Sequence, residues 1–253
     1  MKRSDSADAA AAVGALRLVA HAVSECGPVR RENQDAFQLV PLDGVGLGLV
    51  IADGMGGHSG GAEAAEAATQ AAAVRLRRAA RSDGWMRDVI TQANTAVARV
   101  RGRLGGNPGT TMVVAVLTAG HLVVAHVGDS RAYLFRAGAA RQLTADHSVT
   151  AERVRAGTLD PEKARTDPRR NYVTRALLGD PVEPDLVELE LAVGDTVLLC
   201  SDGVWAMLPD SRIGELLAAA TAETAARSLV DAALAAGATD NVTAVVARIE
   251  SSA

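Results

Sequence analysis

Six segments rich in valine, leucine and isoleucine, at 16–23, 45–52, 111–117, 121–127, 196–200 and 242–249, are each bounded by Gly, Pro, Asp or Asn. Segments of that length with those boundaries read as strands. They do not alternate with single helices. Between the second and third lies one long stretch, 61–104, of Ala, Glu, Gln, Arg and Leu, broken by Ser82-Asp83-Gly84. That composition predicts two consecutive helices, the second entered near Trp85. A second helical pair is expected at about 211–219 and 222–236, ending at Gly237. Strands in runs, followed by paired helices, argue against a regular parallel βαβ sheet and predict one α+β domain on largely antiparallel sheets.

The 253 residues, 48% of them hydrophobic, suffice for a sizeable core. With 26 basic against 30 acidic side chains the net charge is −4, which disfavours a general nucleic-acid or membrane-surface binder. Only 6 residues are aromatic, too few for a surface that stacks bases or sugars, whereas 51 are alanine. Cys26 and Cys200 form no CxxC pair, which excludes a disulfide scaffold or a zinc ribbon. Neither is followed six residues later by arginine, since Glu32 and Ala206 stand there, so a cysteine-based phosphate loop is unsupported and both read as buried core thiols.

Lys2 and Arg3 are offset by Asp5 and Asp8, a poor signal peptide. Residues 1–15 are expected to form a mobile extension to a single domain at 16–250. Segment 147–175, charged and holding Pro161 and Pro168, reads as a surface flap with one helical turn.

Three apolar runs end alike, in Ile51-Ala52-Asp53-Gly54, His126-Val127-Gly128-Asp129 and Cys200-Ser201-Asp202-Gly203, and Asp240 precedes the last strand. A carboxylate straight after a buried strand costs desolvation energy, so a shared purpose is indicated. Side by side, such acids would raise one another's pKa unless cations intervene. Oxygen ligands without His or Cys suit Mg²⁺ or Mn²⁺. Asp43-Gly44 and Asp83-Gly84 read as turns. The glycines from Gly54 to Gly61 match neither a dinucleotide loop nor a P-loop and read as a close approach of backbone to a metal and its ligand. Arg30 or Arg31, just before Asp35, offers a fork shaped for phosphate oxygens.

Taken in order, Val29-Arg30-Arg31-Glu32-Asn33-Gln34-Asp35, the Asp53–Gly61 loop, Gly109-Thr110-Thr111, Gly128-Asp129-Ser130-Arg131, Cys200-Ser201-Asp202-Gly203 and Asp240-Asn241-Val242-Thr243 resemble the protein phosphatase 2C (PPM) family in its compact bacterial form. The resemblance covers about 18–250. It implies a four-layer α-β-β-α sandwich, two antiparallel sheets flanked by helix pairs. It further implies that Asp53 bridges two ions, that the Gly54 carbonyl ligates one, and that Asp202 and Asp240 complete the other. Asp35 would hold ion-bound water and Asn241 would steady the site from behind. Asp129 resembles the residue that, with Asp202, supports a third, weaker ion. Arg30 aligns with the phosphate-binding arginine, with Arg31 as a substitute.

The implied reaction is hydrolysis of phosphoserine or phosphothreonine in proteins by a water bridging two Mn²⁺ or Mg²⁺ ions, without an enzyme nucleophile. The sequence departs from the family at Gln34, where many members have Glu, at Met55, where eukaryotic members have a proposed histidine acid, and at Asp167, which replaces a His of some relatives. His58 and His147 stand as candidate acids. A catalytically weak regulatory module and a phosphatase dedicated to a partner-switching regulator are the alternatives. The expected protein is a cytoplasmic monomer whose partners are phosphoproteins and their kinases, with no nucleic acid and no membrane.

Overall fold

Strand β4 (Gly46–Met55) sets the architecture, because it is buried on both faces. Leu47, Leu49 and Ile51 face one apolar cluster, whereas Val50 and Ala52 face another. A strand with two buried faces reads as a continuous apolar run, which is why these segments stood out. Each fully buried Leu, Ile or Val contributes about 1.5–3 kcal/mol. A charge at either Val50 or Ile51 would be stranded in a core.

The computed structural model describes residues 4–56, 59–78, 84–164 and 167–252. One sheet contains β1 (Ser4–Val13), β2 (Leu16–Glu25), β12 (Val242–Ser251), β11 (Thr196–Cys200), β8 (Arg131–Arg136) and β9 (Ala139–Gln142), in that order. The other runs β10 (Asp185–Glu190), β7 (His121–Val127), β6 (Met112–Thr118), β4 and β3 (Asp35–Leu42), with the short β5 (Gly109–Thr110) also paired to β4. Every pairing is antiparallel.

Alternate residues of each central strand divide between layers. Val197 and Leu199 of β11 and Val245 and Ala247 of β12 join the core between the sheets. Leu198, Cys200, Ala244 and Val246 instead pack under α6 (Asp210–Leu217) and α7 (Ala222–Ala235). Outside the second sheet lie α1 (Ser59–Arg77) and α2 (Trp85–Leu104), whose small residues Ala64, Ala65, Ala68 and Ala72 seat α1 on Val50 and Val114. These are the four layers expected.

Three expectations change. Residues 4–13 are a full edge strand in register with β2, from Ser4 opposite Glu25 to Val13 opposite Leu16. Ala7, Ala9, Ala11 and Val13 turn inward, but Ala10 and Ala12 turn outward, so alanine on both faces erased the alternation that marks a strand. Residues 1–3 lie outside the described residues, as do Ser82 and Asp83 of the expected helix break. The flap holds two short helices, α3 (Val149–Arg155) and α4 (Pro161–Ala164), rather than one turn. Ser148 starts α3 by accepting from the Ala151 amide. Finally, β3, β8, β9 and β10 are not legible as apolar runs: β3, β9 and β10 lie at sheet edges, and the short β8 is bracketed by Arg131 and Arg136. A four-residue helix, α5 (Asp202–Trp205), follows β11.

Candidate active site

Antiparallel order brings the acids together. The C-terminal ends of β4, β7 and β11 and the N-terminal ends of β3 and β12 all meet at one edge of the sandwich, as the registers Asp35 opposite Asp53, Met112 opposite Val127 and Cys200 opposite Ala244 require. Loop 26–34 carries Arg30 from one sheet to the other across this edge.

Asp53 is anchored through its backbone. Its amide donates to Thr111 Oγ1 at 3.1 Å, and its carbonyl accepts from the Thr111 amide at 2.9 Å and from Thr110 Oγ1 at 2.9 Å. Burial, followed by the charges of Asp35, Asp202, Asp129 and Asp240, pushes its carboxyl well above the usual range. Gly54 is fixed by packing: a Cβ there would sit 2.2 Å from the Gly61 carbonyl oxygen at the start of α1. Gly203 is constrained in the same way, its Cβ falling 2.0 Å from the Asn241 carbonyl oxygen. The glycines after Asp53 and Asp202 therefore do more than turn the chain. They let two neighbouring segments close on the acids.

Asp35 lies opposite Asp53 and is cradled on one side only. Its Oδ2 accepts from Ser201 Oγ at 2.7 Å and Thr243 Oγ1 at 2.6 Å. Its Oδ1 is buried and has no partner among the described residues. Burial outweighs the two hydroxyls and raises its pKa to about 6. Asp202 opens α5, and burial together with Asp129 and Asp240 pushes it well above its ordinary value. Asp129, 4% exposed, is raised to about 7 by burial and by Asp146.

Asp240 behaves differently. Its Oδ2 accepts from Arg30 Nη2 at 2.6 Å, and its Oδ1 accepts from the Asn241 amide at 2.8 Å. Partial burial works against the Arg30 charge, but the bond to Asp240 and the fields of Asp240, Asp202 and Asp53 raise its pKa overall. Arg31 is exposed. Asn241 ties the Arg30 loop down: Nδ2 donates to the carbonyls of Cys26 at 2.9 Å and Glu32 at 3.1 Å, while Oδ1 accepts from the Gln34 amide at 2.9 Å.

Four acids, Asp35, Asp53, Asp202 and Asp240, thus lie within the field of Arg30, and Asp129 adjoins Asp202. Among the described residues no three acidic, His or Cys side chains close around a single point, so nothing here resembles a cage for one ion. Hard divalent ions that keep most of their waters need only one or two carboxylates each. The orphaned Asp35 Oδ1, the raised carboxyls of Asp53 and Asp202, and the all-oxygen donor set fit a pair of such ions.

Of the candidate acids, His147 is used elsewhere and His58 lies outside the described residues. His147 is 3% exposed, its Nδ1 accepts from the Gly128 amide at 3.0 Å and its Nε2 meets Asp185 Oδ2 at 3.1 Å. A neutral, doubly bonded imidazole in the floor has no proton to give a leaving group, and burial lowers its pKa further. Asp167, in the flap, pairs with Arg153 and Arg169 at 3.2 Å. Gln34 lies against Gly61, where an added Cβ would stand 2.9 Å from its Oε1. Ser201, Thr243 and Thr111 lie inside or beside the blocks quoted above, but nothing local in the sequence marks them as hydroxyl partners of Asp35 and Asp53.

Comparison with known proteins agrees with this fold. Residues 29–237 match the model of the protein phosphatase 2C family. A serine/threonine phosphatase, Stp, of Listeria monocytogenes is 35% identical over 201 residues, 76% of this chain and 79% of that protein. The serine/threonine protein phosphatase PstP of Mycobacterium tuberculosis is 36% identical over 235 residues, 89% of this chain but only 44% of that protein, so the chain spans less than half of that relative. A solved structure of the catalytic domain of a PstP in complex with two manganese ions superposes with a TM-score of 0.83 at 33% identity, covering 93% of this chain and 99% of that one. The chain belongs to the protein phosphatase 2C family.

Proposed function

We propose that residues 16–250, together with the edge strand at 4–13, act as one catalytic domain, with 147–175 as its flap, that hydrolyses phosphoserine and phosphothreonine in proteins. The enzyme is a serine/threonine protein phosphatase. The observation that carries this reading is the edge where Asp35, Asp53, Asp129, Asp202 and Asp240 converge, only Asp240 being paired with Arg30, while the carboxyls of the other four are raised by burial.

Two Mn²⁺ or Mg²⁺ ions held by Asp53, the Gly54 carbonyl, Asp202 and Asp240 would supply the charge that makes a shared water nucleophilic near neutral pH and steadies the phosphoryl oxygens. The protein's own part is orientation. Asp35 is fixed through Oδ2 by Ser201 and Thr243, which leaves Oδ1 to accept a hydrogen bond from the attacking water. Arg30, held over the site by its bond to Asp240, turns its fork to two phosphate oxygens. Asn241 keeps the Arg30 loop at the height that contact needs. The leaving alkoxide takes its proton from solvent, since His147 is committed to the floor. Asp129, beside Asp202, suits a third and weaker ion.

Phosphoproteins and the kinases that modify them are the partners, within signalling in the cytoplasm, and the protein works as a monomer. The net charge of −4 supports a role away from nucleic acid and membrane, and no described helix is long and apolar enough to cross a membrane. Retention of all five acids favours an enzyme over a regulatory module. Phosphate release from a panel of phosphoserine, phosphothreonine and phosphotyrosine peptides tests the reading. Release from the first two that stops with a chelator supports it, and release that persists in chelator sinks it.

A further inference from the structure

The two outer helical layers differ in charge. In α6 and α7 four acids, Asp210, Glu215, Glu223 and Asp231, outnumber Arg212 and Arg227. The described residues of the α1–α2 layer, 59–78 and 84–104, carry seven arginines against Glu63, Glu66 and Asp88, on a chain whose net charge is −4. Between α1 and α2, on the side away from the sheet, runs a groove of about 500 Å³. Its floor is Ala67, Ala71, Val74, Ala96 and Val100, and its rim holds Arg75, Arg78, Arg99 and Arg103.

Helix geometry builds both features. Positions 67, 71 and 74 form one stripe of α1, continued by Arg78 in the turn that follows it, and 92, 96, 99 and 103 form the facing stripe of α2. Alanine at three of these places leaves a trough, and Val74 is 46% exposed along it. Two of the arginines are spent on the helix pair itself: Arg75 bonds Asp88 and Arg103 bonds Glu63, one pair at each end. Arg78 and Arg99 are exposed and make no ion pair or side-chain hydrogen bond among the described residues. No acidic side chain lines the groove among the described residues. An apolar floor flanked by Arg78 and Arg99, which no acidic side chain opposes among the described residues, complements an acidic segment that also carries aliphatic side chains.

We infer that the α1–α2 groove docks an acidic, aliphatic segment of the phosphoprotein substrate, outside the phosphorylated residue. The inference rests on the phosphatase reading above. The groove is well placed for it, because Gly61 at the start of α1 packs on Gly54 beside Asp53, and Ala67 lies about 9 Å further along the helix at 1.5 Å per residue. A substrate held there would present its phosphorylated residue at high local concentration.

The test uses one fluorescein-labelled peptide of alternating glutamate and leucine without phosphate, and two phosphopeptides, with and without that segment. Fluorescence anisotropy should show salt-sensitive binding to the wild-type protein, weakened about tenfold in Arg78→Glu/Arg99→Glu. The segment should lower KM about tenfold at unchanged kcat, and the double variant should lose that gain while hydrolysing p-nitrophenyl phosphate as before. An unchanged thermal midpoint verifies folding, and Arg78→Gln/Arg99→Gln should give the same loss in milder form. Peptide binding without hydrolysis of any phosphopeptide would leave the groove standing and defeat the phosphatase reading. Equal KM values for the two phosphopeptides with no anisotropy change would overturn the docking groove alone. Tighter binding of a single-stranded oligonucleotide than of the peptide would overturn the assignment to an acidic protein segment.

Discussion

Two neighbouring groups of acids receive opposite treatment. Asp146, 6% exposed, is neutralised inside the protein: Arg131 Nε and Nη2 donate to its two oxygens at 2.9 and 2.7 Å, and Gln142 Nε2 adds a bond at 3.0 Å. The same guanidinium donates to Tyr133 Oη at 2.9 Å and lies 3.8 Å over the Trp205 ring. Asp129, two residues before Arg131 in sequence, has its pKa raised to about 7. Asp53 and Asp202 are likewise pushed well above the ordinary range, by burial and by like charge. The fold is able to satisfy an acid at this edge and withholds that from the others. Uncompensated charge, rather than buried charge as such, marks the place where cations belong.

The largest expected effect breaks the comparison on the functional side. Asp202→Asn should cut phosphatase activity by about 10³-fold or more, because the charge stabilisation lost amounts to several kcal/mol. The same change should raise the thermal midpoint of the metal-free protein, since it removes an ionised group that its neighbours oppose. Activity and stability moving in opposite directions is the signature. A fall in both would place Asp202 with Asp146 as a structural acid.

Next comes the satisfied pair. Arg131→Ala leaves Asp146 buried without its partner and should destabilise the fold by about 3–5 kcal/mol, read from a denaturant midpoint at unchanged slope. Adding Asp146→Ala should recover part of that loss. A cost below about 1 kcal/mol would show that the knot behaves like a surface pair.

How much of this was legible from sequence follows from the reach of each contact. Asp53, Asp129 and Asp202 announce themselves locally, as acids closing apolar runs. The partners that tune them do not. Asp35 meets Ser201 and Thr243 across 166 and 208 positions, and Arg30 meets Asp240 across 210, so no periodicity or spacing carries those pairs. Family resemblance supplied the roles of Arg30 and Asp35, but not the hydroxyl cradle or the Arg131 knot. In the fold, strands with two buried faces were plain, whereas β1 was hidden by alanines on both of its faces. Segment 147–175 looked irregular because its prolines and charges mask helices too short to show a period.

Stability against pH sharpens the contrast further. Asp35, with an ordinary value of 3.8, titrates at about 6 in the folded protein, so between these values the folded state holds more protons than the unfolded one. The stabilising contribution is full below about pH 4 and is lost as pH rises through about 6, worth about 3 kcal/mol from Asp35 alone. Asp129 extends the window to about 7. The metal-free midpoint should therefore fall over this range, and added Mn²⁺ should restore it increasingly as pH rises, because the ions take up ionised carboxylates. Calorimetric scans at several pH values, with and without Mn²⁺, check it. A gap that does not widen with pH would mean the acids are already compensated within the protein.

The smallest effect concerns a single hydroxyl. Thr243 Oγ1 stabilises the ionised form of Asp35 at 2.6 Å and also meets Ser24 Oγ at 2.6 Å. Thr243→Val keeps the shape of the side chain and removes the donor, at a cost of about 1 kcal/mol. That energy corresponds to a rise of somewhat under one unit in the Asp35 pKa. The acid limb of the kcat/KM profile should move upward by that amount, while activity on the alkaline plateau stays near wild type. Ser201→Ala should do the same through the other bond, at 2.7 Å. If both variants leave the limb in place, Asp35 does not set it, and its free Oδ1 has no part in orienting the attacking water.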